Sequence, residues 1–144
     1  MMNAERLNHL FELLSGATGV QDIAYHRIAD GRINPVLKTN TDALGIERWK
    51  SVHAQSPVYI AHDFLLTDVV REPRAVAIQD VKNDRRSSEE FFLFGIDSLL
   101  IIPVMKGADV EGIVVVASIG QLHEFSEQEI ANAERLVEQH IEIF

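Results

Sequence analysis

Two almost unbroken apolar runs dominate residues 95–118, which read GIDSLLIIPVMKGADVEGIVVVAS. The runs LLIIPVM and IVVVAS are separated by a short polar turn, and neither alternates with polar residues. Strands without such alternation are typically covered on both faces of their sheet. We therefore predict a central hairpin, with strands over 98–105 and 110–118. We expect the terminal helices on one face of the sheet and the middle of the chain on the other. Pro103, inside the first run, predicts a bulge or an unpaired position.

Helical periodicity marks both ends of the chain. The first stripe recurs at spacings of three, four and three, and its helix is expected to end at Gly16 and Gly19. The last helix is predicted to start at Ser126, which has capping-box spacing to Glu129, and to continue to Phe144. The two stripes consist of Ala4, Leu7, Phe11, Leu14 and of Ile130, Ala133, Val137, His140 or Ile141, Phe144.

The middle of the chain contains turn and cap signals. The sequence ADGR predicts a hairpin with strands near 20–28 and 33–39. Residues 40–58 favour either a short helix or a structured loop. Asp63 is the predicted cap of a short helix that Pro73 stops, and RAVAIQDV indicates a brief strand. Ser87 and Glu90 have capping-box spacing before another short helix, and Gly95 is its expected stop.

Composition and charge limit the class of protein. The 144 residues suffice for one domain, which we place at 1–144. With 13 basic and 22 acidic residues, the net charge of −9 disfavours binding to nucleic acid. The N-terminus lacks the basic start and apolar core of a signal sequence. The apolar runs of the sequence are too short to predict a membrane span. We therefore expect a cytoplasmic protein.

Most catalytic and metal chemistry is disfavoured by the residues present. The sequence contains no cysteine, which excludes a thiol nucleophile, thiolate metal ligands and a cysteine-linked cofactor. None of the six histidines has metal-ligand spacing to another, so no metal site is predicted. The sequence also lacks a G-x-S-x-G elbow, and SGATG at 15–19 follows a helix, as a helix stop does and a phosphate loop does not.

The order and spacing of these segments resemble a GAF domain, the small-molecule sensing module of signalling proteins. The resemblance lies mainly between 74 and 130, in RAVAIQDVKNDRR, EEFFLFGIDSLLIIPVMKGADVEGIVVVAS and HEFSEQEIANAERLVEQ. It implies an α+β fold of the GAF-like, PAS-related kind. Such a fold has a twisted antiparallel sheet of about six strands with helices on both faces, and its N- and C-terminal helices pack together. Residues 40–73 depart most from the family pattern.

The resemblance also implies a ligand pocket between the sheet and the middle insertion. The candidate residues are Tyr59, His62, Asp63, Asp80, Asn83, Phe91, Phe92 and Ser98. We expect Phe91 and Phe92 as apolar walls, and Asp80 and Ser98 as orienting polar groups. Each also has a structural alternative, namely core packing for the phenylalanines and a turn cap for Asp80. Some relatives bind haem through a histidine, for which His53 or His62 is the candidate, although surface or capping roles are favoured. The cofactor and the ligand are not identified by the sequence.

Three functions follow as hypotheses. The first is a non-catalytic sensory domain that binds a small molecule and relays the signal through its terminal helices to an output domain or a partner signalling protein. The second is a ligand-free dimerisation scaffold. The third and weakest is an enzyme. The family branch that reduces free methionine sulfoxide uses cysteines, and this sequence contains none. The terminal stripes further predict a homodimer through a four-helix bundle.

Overall fold

The two apolar runs form neighbouring interior strands of a six-stranded antiparallel sheet in the computed structural model, which describes residues 3–41 and 44–144. The strand order is β3-β2-β1-β6-β5-β4. The strands are β1 (Asp22–Ala29), β2 (Arg32–Lys38), β3 (Val58–Tyr59), β4 (Val76–Ile78), β5 (Ile96–Lys106) and β6 (Asp109–Ile119). The predicted α+β class and antiparallel sheet are confirmed.

Successive side chains of β5 enter two different cores, which explains why the sequence does not alternate. Leu100, Ile102 and Val104 belong to the core beneath the terminal helices. Leu99 and Ile101 belong to a second core on the opposite face. Because both faces exclude water, a polar residue would be desolvated on either side.

The helices form two layers around the sheet. They are α1 (Ala4–Thr18), α2 (Ile46–Gln55), α3 (Phe64–Arg71), α4 (Glu89–Leu93) and α5 (Glu127–Gln139). The terminal helices α1 and α5 pack on each other and on one core, as predicted, and side chains of α3 and α4 join the other core. The segment that favoured either a helix or a loop contains α2. Within the described ranges, no helix combines the length and the apolar character that a membrane span requires.

Several predicted turns and caps are confirmed. Asp30 and Gly31 both have positive φ, of 57° and 73°, as the turn of the ADGR hairpin requires. Asp63 caps α3 by accepting a hydrogen bond from the backbone N–H of Leu66. Ser126 and Glu129 form the predicted capping box of α5.

Other local predictions are wrong. Gly16 lies inside α1, which ends one residue before the left-handed Gly19. The capping box of Ser87 and Glu90 does not form, because the Ser87 hydroxyl donates to the carbonyl of Val81 and Ser88 is the N-cap of α4. The brief strand around 76 is only β4, since Val81 begins a 3-10 turn.

The final helix is shorter than predicted. It ends at Gln139, and a 3-10 turn over Ile141–Ile143 follows. Ile143 is buried in the protomer's own core, and the ring of Phe144 packs on Tyr25 with centroids 4.7 Å apart. The apolar residues at the end of the chain are therefore used within the protomer.

Pro103 lies where β4 no longer pairs with β5. It faces Ile113 of β6, whereas the β4 ladder ends opposite Ile101. A register shift follows between Val104 and Met105. The position is therefore compatible with a residue that has no backbone N–H to donate.

Candidate functional site

An apolar cavity of about 90 Å³ lies between the sheet and the layer that contains α2 and α4. The sheet contributes Ile101, Ile113 and Val115, all of which lie on the face opposite the terminal helices. Trp49 of α2 and Phe91 of α4 line the cavity from the other layer. The walls are thus mainly aliphatic and aromatic, as in sites that bind small molecules.

Two buried histidines provide polar groups in this cavity wall. His26 on β1 and His53 on α2 approach each other with 3.3 Å between their Nε2 atoms. Their exposed fractions are only 5% and 6%. Within residues 3–41 and 44–144, the Nδ1 atom of each ring is buried and has no hydrogen-bond partner. Such groups are uncommon in folded proteins and call for an explanation.

Aromatic rings hold the two imidazoles in place. Trp49 contacts His26 edge-on at 5.2 Å between centroids, and it contacts His53 at 5.7 Å. Phe94 stacks on His53 at 5.2 Å with an angle of 25° between the rings. Helix α2 supplies both Trp49 and His53 because positions four apart share one helix face.

Both histidines are neutral near pH 7. Burial lowers the pKa of His26 well below its usual 6.5, and repulsion from His53 lowers it further. Burial lowers the pKa of His53 to about 4. The pair is therefore a hydrogen-bonding site without a net charge.

A carboxyl group at the edge of the cavity is also perturbed. Burial raises the pKa of Glu90 to about 8, and a hydrogen bond and charge repulsion from Asp63 act in the same direction. Asp63 accepts hydrogen bonds from the Leu66 backbone N–H at 3.0 Å and from the Ser88 hydroxyl at 2.8 Å. This cluster joins the start of α3 to the start of α4.

A wider and more polar groove of about 600 Å³ lies beside the cavity. Four of the predicted site residues line it, namely Tyr59, His62, Asp63 and Phe92. Phe91 lines the cavity itself. Glu90 and Phe94 line both spaces, so α4 separates the cavity from the groove.

The other three predicted residues have structural contacts away from both spaces. Asn83 donates its side-chain amide to Asp80 at 2.7 Å in the turn after β4. Ser98 donates to the carbonyl of Gln79 at 2.7 Å and accepts from the backbone N–H of His123 at 2.9 Å. Ser98 therefore holds the segment that leads into α5.

The prediction did not include His26, Trp49, Glu90 or Phe94 among the site residues, and it considered His53 only as a haem or metal candidate. One signal was available for His26. In DIAYHRIA, alternate residues face opposite sides of the strand, so Ala24 and His26 share the face opposite Ile23 and Tyr25. This pattern places a histidine on the inner face of a strand whose two faces are both covered. Within the described residues, no group of three or more histidine and acidic side chains can hold a metal ion.

Solved structures confirm the fold. The GAF domain/HD domain protein from Geobacter sulfurreducens is 20% identical, with a TM-score of 0.77 over 97% of this chain and 94% of that one. The GAF domain of a two-component sensor histidine kinase from Bacillus halodurans is 13% identical, with a TM-score of 0.73 over 99% and 94%. The type II free methionine-R-sulfoxide reductase from Thermoplasma acidophilum is 13% identical, with a TM-score of 0.71 over 96% and 89%.

No match was found among curated protein sequences. The family model of the GAF domain matches residues 4–140, which is nearly the whole chain. The match includes both terminal helices as well as the central hairpin. GAF domains are known as sensory, ligand-binding modules of signalling proteins. The chain belongs to the GAF domain family.

Proposed function

We propose that this GAF domain is a non-catalytic sensor that binds a small molecule in the cavity between the sheet and α2 and α4. One observation carries the proposal, which is that the buried, hydrogen-bonded His26–His53 pair lines a cavity whose walls are mainly aliphatic and aromatic. Apolar walls with a few placed polar groups are the usual composition of a ligand site.

The relay begins on β1. His26 faces the cavity, while its neighbour Tyr25 faces the opposite core and contacts the terminal Phe144. A ligand that moves His26 therefore shifts the residue on which the end of the chain packs. A change there biases an output domain or a partner protein only if the ligand binds the two arrangements with different affinity.

The small volume of the cavity favours a second candidate, a ligand-free scaffold. The predicted homodimer through the terminal helices belongs to either function. Because Leu7, Leu10, Phe11 and Leu14 are already buried in the protomer, such a dimer would use other side chains of α1 and α5. Sedimentation equilibrium of the wild-type chain measures this directly, and a monomer at high micromolar concentration would contradict the dimer.

Thermal unfolding against a metabolite and nucleotide library tests the sensor. A ligand at about 100 times its Kd adds roughly 2.7 kcal/mol to the free energy of unfolding and raises the midpoint. Ala24→Ile fills the cavity from β1 and should abolish this shift. Ala29→Ile makes the same change at an exposed position of the same strand and should retain it. No shift with any compound would favour the scaffold.

A further inference from the structure

We propose that the groove beside α4 binds a small organic ammonium ion with an aromatic or aliphatic body. The groove is a different space from the cavity of the proposed sensor, because α4 separates the two. The inference therefore does not rest on the proposed function. The groove volume of about 600 Å³ lies within the range of about 300–1,000 Å³ that small-molecule sites usually have.

Large apolar side chains are exposed in this groove. Tyr59, Phe92 and Leu93 line it with exposed fractions of 42%, 53% and 58%. Val58 and Phe94 also belong to its walls. Contiguous exposed apolar side chains commonly mark a binding site, so the body of the ligand is expected to be apolar. Aromatic rings also attract ammonium groups through the negative charge of their faces.

The charged residues of the groove are all acidic. Asp63, Glu89 and Glu90 line it, and the described lining residues include no lysine or arginine. The ion pairs of the described chain do not involve these three carboxyl groups either. An anionic ligand would be repelled here, whereas a cation would supply the charge that the wall lacks.

The carboxyl group of Glu90 lies on the groove side of α4. It interacts with Asp63, which lines the groove and does not line the cavity. The oxygens of Asp63 already accept hydrogen bonds from the backbone of Leu66 and the hydroxyl of Ser88. Because Asp63 is only 5% exposed, it acts on a ligand through its charge. The less buried Glu90 and the exposed Glu89 are available for direct contact.

Proton loss from Glu90 should strengthen the site. Burial raises the pKa of Glu90 to about 8, and a hydrogen bond and repulsion from Asp63 act in the same direction. A bound cation offsets that repulsion and favours the ionised form. Binding should therefore release protons near pH 7.5 and become tighter as the pH rises to 8.5. The other titratable groups on the two sides of α4 are Tyr59, His62, Asp63 and Glu89 in the groove, and Asp22, His26, Lys38 and His53 in the cavity.

An inorganic cation fits the groove less well. Among the residues that the structure describes, no group of three or more histidine and acidic side chains can hold a metal ion. A metal ion also has no apolar surface to cover Tyr59, Phe92 and Leu93. An organic cation matches both the charge of the groove and its exposed apolar side chains.

Three probes with the same aromatic body and different charges test the inference with the full chain. They are 2-phenylethylammonium, 2-phenylethanol and 3-phenylpropanoate, titrated by NMR at low ionic strength and pH 8.5, where the ammonium is charged and Glu90 is mostly ionised. The ammonium should bind with a Kd of about 1 mM or below and about tenfold more tightly than the alcohol. The carboxylate should bind more weakly than the alcohol. Amide shifts should concentrate at 58–63 and 89–94.

Variants assign the binding to the groove. Glu90→Gln should weaken binding of the ammonium about tenfold and leave binding of the alcohol unchanged. Glu138→Gln makes the same change at an exposed position of α5, which packs on the opposite core, and should bind like the wild type. Phe92→Ala should weaken both probes, whereas Phe64→Ala, at an exposed phenylalanine outside the groove lining, should not.

The pH dependence provides a second readout. Binding of the ammonium to the wild type should tighten about three- to eightfold from pH 7 to pH 8.5, as the ionised fraction of Glu90 rises. Glu90→Gln should lose this dependence, while a contribution from His62 would persist in that variant. Persistence of the full dependence would contradict the role of Glu90.

Four results would overturn the inference. They are absence of ammonium binding, equal binding of ammonium and alcohol to the wild type, equal weakening by Glu90→Gln and Glu138→Gln, and loss of ammonium binding in Ala24→Ile. The last variant fills the cavity and should leave the groove unchanged. Library compounds that bind the wild type and not Ala24→Ile test the sensor alone, so either proposal can fail without the other.

Discussion

Ser88 donates its hydroxyl to Oδ2 of Asp63 over 2.8 Å, and this hydrogen bond joins the starts of two helices on the cavity side of the sheet. The other oxygen of Asp63 caps α3 through Leu66. One buried carboxylate thus positions α3 and also holds α4, the helix between the cavity and the groove.

Replacing Ser88 by alanine should loosen α4. The variant Ser88→Ala removes a donor from a buried carboxylate, so the free energy of unfolding should fall by about 1–3 kcal/mol. Hydrogen exchange of the amides at 89–94 should accelerate more than exchange in β5. Ser51→Ala is the control, because Ser51 is exposed and accepts a long hydrogen bond of 3.5 Å from Gln55. Equal exchange in the two variants would contradict this role for Ser88.

Glu90 should destabilise the protein as the pH rises. Its pKa is about 8 in the folded state and near 4.5 in the unfolded chain, so the folded state retains a proton that the unfolded state has lost between these values. Stability should therefore decrease from about pH 4.5 to pH 8 through this group. Since Glu90 is only partly buried, we expect an effect of about 1–2 kcal/mol after solvent screening.

The variant Glu90→Gln retains a neutral donor toward Asp63 and should remove this pH dependence. Its unfolding midpoint should match that of the wild type near pH 5 and exceed it at pH 8.5. Glu89→Gln, one residue earlier at an exposed position, should not change the pH profile. Parallel profiles of Glu90→Gln and the wild type would disprove the assignment.

The fold could be predicted because its signals are local. Leu7 to Leu14 repeat with helical spacing, Asp30-Gly31 is a turn pair, and the hairpin strands lie next to each other in the chain. The histidine pair could not be predicted in this way, since His26 and His53 meet across 27 residues of sequence. Their contact depends on where α2 lies on the sheet. The strand face on which a residue lies follows from the local alternation, whereas the residue that it contacts on another element does not.

The three candidates that line neither the cavity nor the groove illustrate the same limit. Asp80, Asn83 and Ser98 follow a strand or begin one, as ligand-orienting groups often do. In the structure their polar atoms bind neighbouring backbone or one another. Short polar side chains near strand ends serve turns as readily as ligands, and sequence patterns do not separate the two uses.

Gly112 should not tolerate a side chain. A Cβ there would lie 2.6 Å from the ring and the hydroxyl of Tyr25 and 2.6 Å from the carbonyl of His26. The variant Gly112→Ala must displace backbone as well as the tyrosine, so we expect a loss of about 1–3 kcal/mol in the free energy of unfolding. Denaturant unfolding measures it.

Gly16 provides a control of opposite sign. It lies inside α1, and a Cβ there would have no atom within 4 Å among the described residues, beyond those of its own helix. Gly16→Ala should therefore raise the free energy of unfolding by about 0.5–1 kcal/mol through helix propensity. An unchanged free energy of unfolding in Gly112→Ala would contradict the close packing of Tyr25 against Gly112.

The neutral histidine pair should make the domain sensitive to acid. In the unfolded chain both rings titrate near 6.5, whereas in the folded state the pKa of His53 is about 4 and that of His26 is also well below 6.5. The unfolded state therefore binds protons first as the pH falls below 6.5, and each histidine removes stability by up to about 1.4 kcal/mol per pH unit. Trp49, the single tryptophan, contacts both rings and reports the loss by fluorescence.

Comparison of variants separates this effect from the general acid response of the carboxylates. His26→Phe/His53→Phe should retain its free energy of unfolding between pH 6.5 and pH 5, while the wild type loses about 2 kcal/mol or more. His9→Gln/His62→Gln, which removes two exposed histidines, should follow the wild type. If the phenylalanine variant lost stability as steeply as the wild type, the two rings would not be held neutral by burial.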